Sequence, residues 1–211
     1  MSDSASAVAP TPSRREQIIE VAAALFAERG FHGASVYDLG AAMGTSGAAL
    51  YKHFASKEAL FIEIVTNLTN DASDIVHGVA PELAQGDDLH AYLAEYGYRQ
   101  LTIVLTPRLM QLRRVVIGEA GRFPDLGKAL YESGPKRAMA AMAAMIQRLA
   151  DRELLRIEDA ATAASHFNWL VMSQPLNQAM LLGDAGIPGP EALRQHAAAA
   201  ARMFLAAYGA R

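Results

Sequence analysis

Apolar residues recur every three or four positions along most of this chain, and no alternating stretch of convincing length appears, which predicts helices rather than strands. Ile18, Val21, Ala22, Leu25 and Phe26 make the first apolar stripe. Ser13-Arg14-Arg15-Glu16 opens it as a capping box, and Arg29-Gly30 closes it with a basic residue and a glycine. After a turn at Phe31-His32-Gly33-Ala34, Ser35-Val36-Tyr37-Asp38 repeats the capping pattern. Val36, Leu39, Ala42 and Met43 form a short second stripe, and Gly44 follows where a helix commonly ends at positive φ. Thr45 and Ser46 then offer hydroxyls to the bare N–H groups of a third helix, whose Leu50 and Phe54 face inward. Two short helices joined through a glycine are a helix-turn-helix.

Beyond it, Ser56 caps a longer helix from Lys57 to about His77, with Leu60, Phe61, Ile64, Val65 and Leu68 in period; GVAPELAQGDD breaks it. Asp87 or Asp88 caps the next, through Leu89, Leu93, Leu101 and Val104. Thr106-Pro107 starts another, proline lying in the first turn where its missing N–H costs nothing. Phe123-Pro124-Asp125 interrupts, a short helix runs through Tyr131, and Gly134-Pro135 opens a stretch from Ala138 to Ala150. Leu154-Leu155-Arg156-Ile157 reads as an extended connector. Glu158 to Leu182 is one apolar helix with a kink expected at Pro175. A loop from Gly183 to Pro190 leads to a last helix, Glu191 to Tyr208. The fold class is therefore all-α, with about nine to ten helices. Its expected parts are an arm at 1–12, expected to be disordered, a helix-turn-helix domain at 13–57, a connecting helix at 58–77 and a helical body at 78–211.

In the second helix of the helix-turn-helix, Gly47, Ala48 and Ala49 keep the start small, so the backbone can approach a surface closely. Tyr51, Lys52 and His53 supply donors one turn later. A small tip followed by donors suits a helix entering the major groove and clamped by phosphates. The bland alternative, ordinary exposed helix residues, is the weaker reading at this position. Ser35 can hold both a helix end and a phosphate. Tyr37 and Thr45 stand evenly between base contact, phosphate contact and solvent. Ser46 lies beside Thr45 at the same helix start.

The run AAMGTSGAALYKHFASKEALF, residues 41–61, resembles the DNA-binding signature of the tetracycline-repressor (TetR) family of bacterial one-component regulators. The likeness reaches back through residues 18–40. The resemblance implies a three-helix DNA-binding head, a connecting helix that couples it to the body, and a ligand-binding and dimerisation domain at 78–211. It also favours a phosphate as the partner of Lys57. Many members carry lysine, glycine and threonine where this chain has Gly47, Ala48 and Ala49, which leaves fewer side-chain donors for base edges. Residues 116–135, VIGEAGRFPDLGKALYESGP, resemble one subgroup of these bodies.

Composition narrows the picture little. The 211 residues are 52% apolar and 19% charged, ample for a core. With no cysteine, disulfides and thiolate metal sites are excluded, which fits a cytoplasmic protein. No apolar run reaches the roughly 18 residues of a membrane span, and the first twelve residues lack the pattern of a signal peptide. The net charge of −3 argues mildly against nucleic acid. Its distribution weakens that objection: residues 13–57 carry five basic against four acidic side chains, whereas 58–106 carry Arg99 against eight acids. Residues 107–156 are more basic still, ten against five, so charge alone points away from the head.

In the body, Tyr92, Tyr96, Met110, Arg114, Phe123, His166, Trp169 and Met172 are candidates for a ligand pocket, mostly apolar with few polar groups. For each taken singly, ordinary helical core is the stronger reading. Arg114 and Asn168 are more informative, since a charge or amide in apolar surroundings needs a partner. Leu170, Ala179, Leu193, Ala197, Ala200, Ala201 and Phe204 on the last two helices are candidates for a two-fold dimer interface, or for cover over the monomer's own core. Histidines are scattered without metal-ligand spacing and no glycine-rich phosphate loop follows a strand, so no cofactor, metal or catalytic residue is proposed. The reading is a DNA-binding regulator, a homodimeric repressor of a palindromic operator released by a small, largely apolar effector. The alternatives are a helical binding protein or enzyme with a vestigial head, and a regulator without a ligand.

Overall fold

The capping signals are realised as hydrogen bonds. Ser13 Oγ accepts from the Glu16 N–H at 3.3 Å while the Glu16 carboxylate accepts from the Ser13 N–H at 2.6 Å. Ser35 and Asp38 repeat the reciprocal pair at 3.1 and 2.9 Å. A computed structural model describes residues 13–77 and 83–210. The expected arm at 1–12 and the first half of the break after His77 lie outside them. The helices are α1 (Arg14–Gly33), α2 (Val36–Ala42), α3 (Gly47–Leu50), α4 (Lys57–His77), α5 (Leu89–Val104), α6 (Pro107–Glu119), α7 (Pro124–Ser133), α8 (Pro135–Asp151), α9 (Ala160–Leu182) and α10 (Pro190–Tyr208). The fold is all-α; among the described residues the only β pairing is one bridge, Leu155 to Gly209.

Contacts divide the chain into two compact units, Met1–Ile64 and Val65–Arg211, so the boundary falls inside α4. The first unit is held by an aromatic cluster. Phe26 meets Phe61 edge-on with ring centres 4.8 Å apart, and Phe31 lies 5.8 Å from Phe26 and 5.2 Å from Phe61. Ile18, Ala22, Leu39, Leu50, Leu60 and Ile64 bury around it. Gly30, at φ +70°, interrupts α1 before the Phe31 turn, and Gly44, at φ +63°, makes the turn between α2 and α3.

The second unit packs α5, α8, α9 and α10 around Leu93, Leu101, Met142, Ile146, Phe167, Val171 and Phe204. Pro175 is buried inside α9, which runs on through it. The connector at 154–157 is non-helical, with Leu155 bridged to Gly209, and is held to the end of α10: the Arg156 N–H donates to the Tyr208 carbonyl at 2.7 Å.

Some local expectations give way. Ala42 is exposed, and α2 buries Leu39 and Gly40 instead, because α3 is seated against Gly40. Ser46 occupies the N-cap of α3 but its hydroxyl makes no capping bond. Helix α9 starts at Ala160 rather than Glu158, since Asp159 is its cap and accepts from the Thr162 N–H at 2.7 Å. Residues Gly183–Gly186 form a single 3-10 turn within the expected loop.

Candidate functional site

The helix-turn-helix is built by backbone proximity. A Cβ on Gly40 would lie 2.7 Å from the Gly47 nitrogen and 2.8 Å from the Thr45 carbonyl oxygen, so α2 admits α3 only because residue 40 has no side chain. Gly47 in turn would place a Cβ 3.1 Å from the Val36 carbonyl oxygen. The small tip of α3 is thus required by its own partner helix, whatever surface it approaches. The Thr45 N–H donates to the Gly40 carbonyl at 2.9 Å and closes the turn. Leu50 and Phe54 point inward, at 4% and 6% exposure.

That anchoring leaves a set of side chains outside. Tyr37 is 80% and Tyr51 55% exposed. Ser35, Ser46, Ala48, Lys52 and His53 are exposed, and Thr45 is half-buried. Lys57 stands apart from them. Its ammonium donates to the carbonyls of Phe31 at 2.6 Å and Ala34 at 3.0 Å, and lies 4.4 Å from the centre of the Phe31 ring. The phosphate suggested by family resemblance would have to compete with these contacts, and Lys57 is a structural cation within the head. Ser35 spends its hydroxyl on Asp38. The bonds from Ser35, with Arg29 beside the carboxylate, hold the Asp38 carboxyl below the usual range.

The second unit contains a partly open cavity of about 410 Å³. Six helices and the α7–α8 junction line it: Thr69, Ser73 and Val76 come from α4, Gln100 and Val104 from α5, Leu109 and Arg113 from α6, Leu130 and Tyr131 from α7, Gly134 from the junction and Ala138 and Met139 from α8; α9 contributes Ser165, Asn168, Trp169, Met172 and Leu176. Of the eight pocket candidates, only Trp169 and Met172 are among the lining residues. Tyr96 and Met110 are buried in the helical core, and Tyr92 packs at its edge. Burial pushes the Tyr96 phenol well above its ordinary pKa, so it stays neutral. Phe123 is the N-cap residue of α7, under the Arg122 guanidinium. His166 is exposed and bonds the Tyr208 hydroxyl at 2.5 Å. Arg114 ties α6 to the end of α9, donating to the Ala179 carbonyl at 2.9 Å and to Asp184 at 2.6 Å.

The residue missed is its neighbour. Arg113 lines the cavity, and among the described residues it makes no hydrogen bond, ion pair or ring contact. Burial pulls its pKa down. Gln100, 3% exposed, donates from Nε2 to Asn168 Oδ1 at 2.8 Å, while its buried Oε1 has no partner among the described residues. Arg113 stands at i+4 from Leu109 just as Arg114 does from Met110, so helical spacing gave no signal to choose between them.

The expected dimer residues are mostly interior. Ala179, Leu193, Ala197, Ala200, Ala201 and Phe204 are at most 4% exposed within one chain, packed in the core of the second unit, and Leu170 is half-buried. Their small side chains serve α10 against α5 and α9 inside the subunit. The exposed apolar side chains on these helices are Trp169 at 60%, Leu181 at 75%, Leu182 at 66% and Met203 at 61%.

Residues 18–64 match the family model described as bacterial regulatory proteins of the tetR family, and residues 91–210 match the AefR-like transcriptional repressor C-terminal domain. The chain belongs to the TetR family. A crystal structure described as that of a TetR-family transcriptional regulator from Mesorhizobium loti MAFF303099 is 33% identical, with a TM-score of 0.86 over 94% of this chain and 100% of that one. The flavonoid-responsive regulator FrrA is 29% identical, with a TM-score of 0.77 over 93% and 97%. The HTH-type transcriptional repressor KstR2 of Rhodococcus jostii is 41% identical over 58 residues, 28% of each chain, so that likeness concerns the head alone. As a TetR-family member the protein is a DNA-binding transcriptional regulator, and its fold is that of regulators rather than of enzymes. Among the described residues no helix is long and apolar enough to cross a membrane, and no cluster of His, Asp or Glu could hold a metal.

Proposed function

We propose that the protein is a cytoplasmic homodimeric repressor whose heads bind a palindromic operator and whose body releases DNA when a small, largely apolar effector enters the cavity. The observation that carries this reading is that the second half of α4 walls the cavity while its first half belongs to the head. Thr69 and Ser133 share a buried hydroxyl bond at 2.5 Å, and Arg137 holds Asp74 at 2.9 Å, so α4 is tied to α7 and α8 around the space. An effector that fits only one position of α4 shifts the equilibrium between two head spacings by its difference in affinity for them. The flavonoid-responsive relative supports an effector of this kind.

On DNA, exposed Tyr37, Tyr51, Lys52 and His53 are the proposed contacts, with Ser35, Thr45 and Ser46 near phosphates and Gly47 and Ala48 allowing close approach. The family usually acts as dimers. Trp169, Leu181 and Met203 mark the face of α9 and α10 that a second copy would cover, in place of the interior alanines and leucines.

Footprinting on genomic fragments across a salt series, with sedimentation in parallel, tests the reading. Protection of a two-fold symmetric sequence by a dimer, falling steeply with salt, is the expected result. Weak binding indifferent to sequence, or a monomer at the operator-binding concentration, would refute it.

A further inference from the structure

The polar groups of the cavity say more about its occupant than its volume does. Arg113 presents a planar fork of N–H donors to a largely apolar space, and no Asp or Glu lines that space among the described residues. A half-buried guanidinium without a counter-charge is costly, and no described residue supplies the charge that would balance it. Gln100 adds a second demand. One of its amide atoms is engaged by Asn168 and the other is buried with no partner among the described residues. A hydroxyl both donates and accepts, so it satisfies that atom whichever way the amide is turned. The remaining wall is apolar: Val76, Val104, Leu109, Met139, Met172 and Leu176.

We propose that the effector is a compact amphipathic anion, with an apolar body against this wall, one acidic group held by Arg113 and a hydroxyl directed at Gln100. The inference rests on the cavity being the effector site. A neutral hydrocarbon would leave both polar groups unpaired, and a cation would add a like charge beside Arg113. A carboxylate, sulfonate or ionised phenol meets the guanidinium with charge-assisted hydrogen bonds.

The test uses two dyes that differ in one group: 1-anilinonaphthalene-8-sulfonate and its neutral parent N-phenyl-1-naphthylamine. Each is titrated into the full chain by its own fluorescence. The sulfonate is expected to bind at least about tenfold more tightly than the parent. Arg113→Gln should erase that difference while the parent still binds, and Arg113→Lys should restore part of it. Equal affinity of the two dyes for the unaltered protein, or a preference that survives Arg113→Gln, overturns the anion and leaves the cavity reading standing. Ala138 also lines the cavity, and Ala138→Phe, which adds a ring there, should expel both dyes. Dye that stays bound to that variant, or the binding of neither dye to the unaltered protein, overturns the cavity reading and the anion with it.

Discussion

The two units of this chain place function on opposite sides of their cores. In the head, Phe26, Phe31 and Phe61 fill a small interior, and the residues proposed to meet DNA are what that interior leaves outside. In the second unit the core is mostly leucine, alanine and methionine, with Phe167 and Phe204 among them, and the polar groups of interest, Arg113, Gln100 and Asn168, line a space within that unit. A head of this kind needs rigid presentation of a surface. A body of this kind needs an incompletely filled interior whose polar groups await a partner. Loss of packing should therefore abolish function in the first and alter ligand response in the second.

Phe61→Ala would break that contrast most forcefully. Removing a fully buried ring should cost about 3–5 kcal/mol and unfold the head. Thermal unfolding followed by circular dichroism should then show the body's transition preserved and operator binding lost. A single transition shifted for the whole chain would mean the units are not separable in stability. Gly40→Ala comes next. The added Cβ meets the backbone of Gly47 and Thr45, at 2.7 and 2.8 Å, and strain of about 1–3 kcal/mol should displace α3. Gel-shift affinity for the operator should fall while dye binding in the body stays unchanged.

Lys52→Ala should weaken binding to all DNA sequences alike and lower the slope of log affinity against log salt by about 1. An unchanged slope would remove Lys52 from the phosphate contacts. The smallest effect concerns acid. The folded pKa of Asp38 is lowered by Ser35, so its contribution is present above the unfolded value of about 3.9 and is lost as pH falls through the folded value. The head's melting temperature should drop in that window, and Asp38→Asn should flatten the drop. Asp184, lowered by Arg114, gives the body its own acid sensitivity, which Asp38→Asn leaves untouched.

The residue pattern carried the head further than the body because the head's signals are local. A serine three residues before Glu16 or Asp38 makes a cap within one turn, and a glycine after Met43 makes the turn at positive φ. The order of helices and the inward side of α3 and the turn after it, Leu50 and Phe54, follow from spacings of three and four along one segment. Even there, the reason for Gly40 is invisible in α2 itself, since it is the backbone of another segment that excludes a side chain.

Residue spacing alone shows that the chain is helical, where the helices are capped, and that a helix-turn-helix, resembling the TetR kind, stands near its start. What each helix faces depends on the packed fold. Periodicity gives a helix's apolar face but not which neighbour covers it, so Ala197 and Phe204 could equally have met a second subunit or their own α5. Adjacent arginines differ by about 100° around a helix, and packing alone turned Arg113 into the cavity and Arg114 toward Asp184. A cavity belongs to no single helix. It exists where six of them fail to close, which no local pattern encodes.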